Sequence, residues 1–163
     1  MRSGAVSLAL LLLTGCLYSF SGGGGLPPGI KTVAVIPFDN QTASPDLPNE
    51  IHEALHSAMR SKLGLRDAPE DKATAVVRGT ITKYEPDIPV AYSADPTQAN
   101  SAQRKVQITV DVDIIDQATG RSIWSQKGMM RDGAYSQRDE ASGRKEAIQK
   151  IVNDVVAGAQ SQW

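Results

Sequence analysis

His52-Glu53-Ala54-Leu55-His56 matches the H-E-x-x-H pattern of zinc peptidases in residue type and spacing. On a helix, histidines four apart lie one turn apart and can share a metal, with the glutamate as general base. A catalytic zinc needs a third ligand, and the chain contains no third histidine. Met59 and Lys62 stand where the extended motif requires glycine and histidine. Glu70 or Asp71 could complete the set only if the segment after the helix folded back. Helical spacing sends Ile51, Leu55 and Ala58 toward a core, His52 and His56 toward its flank, and Glu53 further round. His52, Glu53 and His56 are therefore weak metal candidates, and a solvated helix flank is the stronger reading.

Other chemistry is thinner. Asp111, Asp113 and Asp116 sit at near-alternate positions among Gln and Thr, the pattern of a strand's solvent face; no loop closes there on an ion. Gly22–Gly25 precede a strand instead of opening a helix, so they do not form a phosphate cradle. Serines and histidines suggest no triad. No catalytic residues and no cofactor are expected, and the chain reads as a non-enzyme.

The elements that position these residues are legible from periodicity. Lys31–Phe38 is nearly continuously apolar, as in a central strand, with Pro37 stopping the ladder near its end. Asp39–Pro45 reads as loop. Asp46–Leu63 reads as a helix with Asp46 as N-cap and Gly64 as stop; Leu47, Ile51, Leu55, Ala58, Met59 and Lys62 fall on one side. Ala75–Tyr84 is a second strand, with Val77 and Ile81 facing opposite to Val76, Thr80 and Tyr84. Residues 85–104, with Pro86, Pro89 and Pro96, read as a long loop.

Val106, Ile108, Val110, Val112 and Ile114 then alternate with polar residues, predicting a strand with one buried face. Asp116–Gly120 makes a tight connection to a fourth strand over Arg121–Arg131. Arg138 to about Gln160 is helical, with Ile148, Ile151, Val152, Val155 and Ala159 forming the inward stripe and Gly143 weakening the start. The order β-α-β-β-β-α predicts an α+β two-layer sandwich. In it a four-stranded mixed sheet has its first two strands parallel and both helices on one face.

Ahead of this domain stands a leader. Arg2 is followed by Ala5–Leu13, nine residues with only Ser7 polar, and then by Leu13-Thr14-Gly15-Cys16. Nine helical residues cross only about half of a bilayer core, so the run suits a signal peptide and not an anchor. The pattern is a lipobox, with cleavage between Gly15 and Cys16 and acylation (palmitate among the chains) of Cys16, the chain's single cysteine. Residues 1–15 are read as leader, 16–30 as a Gly/Pro-rich tether and 31–163 as one domain. Without Arg2, the mature part carries 16 of the 17 basic residues against 18 acidic, which gives no reason to expect nucleic acid.

Cys16-Leu-Tyr18-Ser-Phe20 and Leu26-Pro-Pro-Gly-Ile30-Lys-Thr-Val-Ala-Val-Ile-Pro-Phe38-Asp-Asn-Gln-Thr42 resemble the lipopolysaccharide-assembly lipoprotein family, LptE. So do Val77–Tyr84, the run Val106–Asp116, and Thr119–Trp124. The resemblance implies a lipidated two-layer α+β domain that plugs the large outer-membrane barrel LptD, supports its assembly and contacts lipopolysaccharide. It implies outer-membrane placement through the lipid, as does Leu17 after the acylated cysteine. The family's ligand contacts are basic, and Arg104 and Lys105 are the candidates here, although edge-strand solubility is the stronger explanation of them. The His-Glu-x-x-His helix is not a family feature. Val33–Asn40 followed by a helix also resembles other envelope lipoproteins, those that activate cell-wall synthases or build secretion pores. A zinc hydrolase using His52, Glu53 and His56 is the third alternative.

Overall fold

The computed structural model describes residues 26–90, 103–136 and 139–161. Its elements are β1 (Thr32–Val35), β2 (Asp39–Asn40), α1 (Leu47–Leu63), β3 (Arg66–Asp67), β4 (Ala75–Pro89), β5 (Arg104–Asp116), β6 (Ser122–Tyr135) and α2 (Glu140–Ser161). The architecture is the expected α+β sandwich with a mixed sheet. β1 runs parallel to β4, as anticipated, while β4, β5 and β6 form an antiparallel meander.

The sheet is six-stranded among the described residues, not four-stranded. Its order is β3-β1-β4-β5-β6, with β2 also beside β4. β2 and β3 have two residues each, too short to show any hydrophobic period, so pattern alone read them as loop. β2 exists because pairing with β4 resumes after Pro37: the Ile36 N–H donates to the Val77 carbonyl and the Gln41 N–H to the Ile81 carbonyl. Pro37, with no N–H to give, sits in the interruption.

Alternation in β5 is obeyed to the residue. Val106, Ile108 and Val110 are 0% exposed, and Val112 and Ile114 are equally inward. They join the buried residues of both helices in one cluster, with Val33, Val35, Val77 and Ile81 beside them. Burying a side chain of this kind stabilises by about 1.5–3 kcal/mol, so this row is the largest single contribution of any strand. α2 lies across β5 and β6, α1 over β1 and β2, and the helices touch each other. On the far face only Ala34, Ala73 and Val76 are buried together, under Ile36 and Ala68. Leu26 and Ile30, within the stretch read as tether, also pack against the main core.

Two bulges correct the reading of β4. Ile81 pairs with Val110 but Lys83 pairs with Thr109, so Thr82 is an extra residue and the faces exchange beyond it. Tyr84 therefore stands opposite Ile108 on the helix side, the side of Val77 and Ile81, not opposite to them. A second irregularity, between Glu85 and Ile88, absorbs Pro86, whose missing N–H costs nothing where the ladder is already broken. Residues 85–89 are thus strand, paired with residues 104–107; residues 91–102 of the anticipated loop lie outside the described residues. β6 likewise runs on to Tyr135, past Arg131.

The ends of α1 are half as expected. Gly64 closes it, its N–H on the Arg60 carbonyl, whereas Asp46 occupies the N-cap position without a side-chain hydrogen bond. In the β5–β6 connection Gly120 takes φ 67°, and its N–H reaches the Asp116 carbonyl at 2.8 Å.

The facing of β5 generates a direct test. Val110→Lys places an unpaired charge in the core and is expected to cost roughly 3–5 kcal/mol. Thr109→Lys, on the polar face, should stay within about 0.5 kcal/mol of the parent. Urea unfolding distinguishes the two, and equal midpoints would contradict the assignment.

Candidate functional site

On α1, His52 and His56 lie one turn apart with their rings 6.0 Å between centroids and 23° between planes. His56 Nε2 contacts Asp67 Oδ1 at 2.9 Å, and Arg60 Nε lies 3.4 Å from the same carboxylate. His52 Nδ1 is buried with no hydrogen-bond partner, and Glu53 is exposed. Neither of the acids considered as a third ligand comes back to this helix: Glu70 is held by Arg78, and Asp71 is exposed with no partner. The acid that does return is Asp67 of β3, which ties the helix flank to the sheet edge. Among the described residues no three His, Cys, Asp or Glu side chains converge as metal ligands. No hydroxyl there is hydrogen-bonded to an imidazole either.

Arg104 and Lys105 stand at the start of β5, beside the end of β6. Arg104 is bonded to Asp87, and the Tyr135 hydroxyl donates to the same carboxylate at 3.1 Å and to the Pro86 carbonyl at 2.8 Å. The guanidinium holds the Asp87 carboxyl below the usual carboxylate range. Lys105 Nζ lies 3.6 Å from Asp132 Oδ2. Both cations therefore already face carboxylates across neighbouring strands.

The face of the sheet away from the helices is polar. Asp39, Arg78, Thr80, Asp111, Asp113, Ser125 and Lys127 surround a hollow of about 330 Å³. Asp111 accepts the Gly128 N–H at 2.7 Å and Asp113 accepts the Ser122 hydroxyl. Asp116 is held by the Thr119 hydroxyl, which above all lowers its carboxyl pKa, and by the Ala118 N–H. These three carboxylates thus serve the bulge and the turn of the β5–β6 hairpin. A face mixing carboxylates, a guanidinium, an ammonium and hydroxyls can bind a polar partner.

One cluster escaped the sequence reading. Arg144 of α2 reaches Glu50 of α1 with Nε at 2.9 Å and Glu140 with Nη1 at 3.2 Å, while Tyr84 of β4 bonds Glu140. Glu50 above all keeps Arg144 protonated, and Tyr84 is pushed up to about 12, first by burial. Its signal was Tyr84 itself, once the bulge at Thr82 is known. Close glycine approaches were also missed. A Cβ on Gly133 would lie 1.9 Å from the Gly143 carbonyl oxygen, and one on Gly158 2.3 Å from the Trp124 ring. Glycines inside strand and helix patterns were the available sign of such approach.

The sequence model of the lipopolysaccharide-assembly family matches residues 30–157, nearly the whole described domain. The chain belongs to the LptE family. LptE proteins are envelope lipoproteins without enzymatic activity. No curated protein sequence matches significantly. Among solved structures, the PelC dodecamer of Paraburkholderia phytofirmans is 17% identical with TM-score 0.50, covering 85% of this chain and 94% of that one. A hypothetical protein of Chlamydia trachomatis is 13% identical with TM-score 0.53, over 79% and 97%. A Xanthomonas campestris protein is 8% identical with TM-score 0.52, over 85% and 91%. At these identities the likeness is one of fold. No helix among the described residues is long and apolar enough to cross a membrane. Gly15 and Cys16, on which cleavage and lipidation were expected, lie outside the described residues.

Tyr84 makes the cluster's contribution measurable. Its hydroxyl titrates higher in the folded chain than the ordinary value near 10, so its stabilisation is present below pH 10 and is lost as pH rises toward 12. The urea midpoint should fall across that window more steeply in the parent than in Tyr84→Phe; parallel curves would remove Tyr84 from the account.

Proposed function

We propose that this chain is a lipid-anchored outer-membrane protein that seats in an LptD-like β-barrel, supports its assembly and contacts lipopolysaccharide in transit. The observation that carries this reading is the family match over residues 30–157. Support also comes from the fold: a preformed sandwich with one polar sheet face left uncovered suits a plug, which works by docking. Cys16 is proposed as the acylated residue, with the leader cut after Gly15. Arg104 and Lys105 are proposed as lipopolysaccharide contacts. Each would then have to share its ammonium or guanidinium between a carboxylate already present and an incoming phosphate.

A second reading, of a subunit in an assembly of identical copies, is favoured by PelC, a dodecamer of this fold. One experiment separates the two. The full chain is recovered by an affinity tag from detergent-solubilised envelope, its partners are identified by mass, and its stoichiometry is measured. A single barrel of several hundred residues with one copy of the chain is expected, with lipopolysaccharide recovered alongside. The double variant Arg104→Ala, Lys105→Ala should retain the barrel and lose lipopolysaccharide about tenfold. Recovery as a multiple of the chain alone, with no barrel, would overturn the plug.

A further inference from the structure

Six cationic side chains among the described residues have no partner: Lys31, Arg66, Lys72, Arg121, Lys127 and Lys145. The first four gather at one end of the sheet, the end where the chain enters the domain. Hydrogen bonds knit that end into a single surface. The Lys31 and Thr32 N–H groups both donate to Thr74 Oγ1 at 2.9 Å, and the Arg66 N–H reaches the Lys31 carbonyl at 3.1 Å. The Gln117 N–H reaches the Thr74 carbonyl at 3.0 Å, its side chain the Glu70 carbonyl at 2.7 Å, and the Asp116 N–H the Arg121 carbonyl at 2.9 Å. The starts of β1 and β3, the turn before β4 and the β5–β6 connection are therefore neighbours, and all four cations there are exposed.

The acids of this end are in part spoken for. Asp67 is paired with His56 and Arg60 and Glu70 with Arg78, while Asp116, hydrogen-bonded by its own turn, and Asp71 keep uncompensated negative charge, two against the four free cations. We propose that this end rests on an anionic bilayer surface, Lys31, Arg66, Lys72 and Arg121 meeting lipid headgroup phosphates. The proposal rests on Cys16 carrying the anchor. The ten residues Cys16–Gly25 then reach at most about 35 Å, and they attach at this end and no other. The opposite end, at the far tip of the 13-residue β5, is about 40 Å further away. Attraction to an anionic leaflet acts within a Debye length of about 8 Å, so only the tethered end can draw on it.

The test uses the full chain, processed in cells and checked by intact mass for acyl groups on Cys16. It is reconstituted in vesicles of phosphatidylcholine alone or of phosphatidylcholine with phosphatidylglycerol, and its lysines are labelled with a water-soluble acylating reagent. Lys31 and Lys72 should react several-fold more slowly in the anionic vesicles. Lys127 and Lys145, away from this end, should react equally in both. Salt at about 0.5 M, where the Debye length is roughly 4 Å, should abolish the difference, and so should Arg66→Glu with Arg121→Glu. Equal labelling of Lys31 and Lys72 in both vesicles would overturn the proposal, as would their protection only when a barrel is added. Absence of acyl mass would overturn it together with the anchor, whereas failure to capture a barrel would leave it standing.

Discussion

The five inward side chains of β5 are the constraint on which the rest depends. They are the floor against which α2 packs, and their strand neighbours on each side extend the same surface, on one side to β1 under α1. A strand with period two has only one register that buries such a row, since a one-residue slip would turn every member to solvent. The same register necessarily presents Gln107, Thr109, Asp111 and Asp113 to the other side. Core and polar face are therefore two consequences of one alternation, and the face available for docking is set by the residues that hold the fold.

What surrounds that floor keeps it a single unit. At one end Tyr84, Glu140, Arg144 and Glu50 join sheet and both helices; at the other, Thr32 and Thr74 bond each other reciprocally. α2 sits unusually close on β6, because Gly133 and Gly143 let backbone meet backbone and Gly158 accepts the Trp124 ring. That closeness also closes an edge. The Ala134 N–H donates to Glu146 Oε2 at 3.2 Å, Lys150 Nζ to the Asp132 carbonyl at 2.8 Å, and Arg131 Nη1 to the Met130 carbonyl at 2.6 Å. Unpaired strand edges recruit other strands, and here side chains occupy the outward groups of residues 130–134. The β6 edge of the sheet is thus covered.

Much of this was legible without coordinates. β5 was readable because its alternation is long and unbroken, and α2 because its stripe repeats through four turns. The parallel β1–β4 pairing followed from an intervening helix. Other features were beyond pattern reading for physical reasons. Two-residue strands have no period to detect. The bulge at Thr82 inverts the facing of everything after it, yet Thr82 and Lys83 look like ordinary strand residues, so Tyr84 was placed on the wrong side. Arg104 and Lys105 were singled out by their charge, but their pairing with Asp87 and Asp132 depends on strand register. The His52–His56 motif was visible and its environment was not, because Asp67 comes from a strand too short to predict.

The central claim is that this domain is one cooperative body, folded around β5 before it meets any partner. Its most direct measurement is urea unfolding of the purified chain free of other proteins, followed by helical circular dichroism and by Trp124 emission in a Trp163→Phe background. Helix content reports α1 and α2, while Trp124 reports the seat of α2 on β6. The account expects a single transition with coincident midpoints from both probes. Separate transitions, or no cooperative transition until a partner is added, would contradict it.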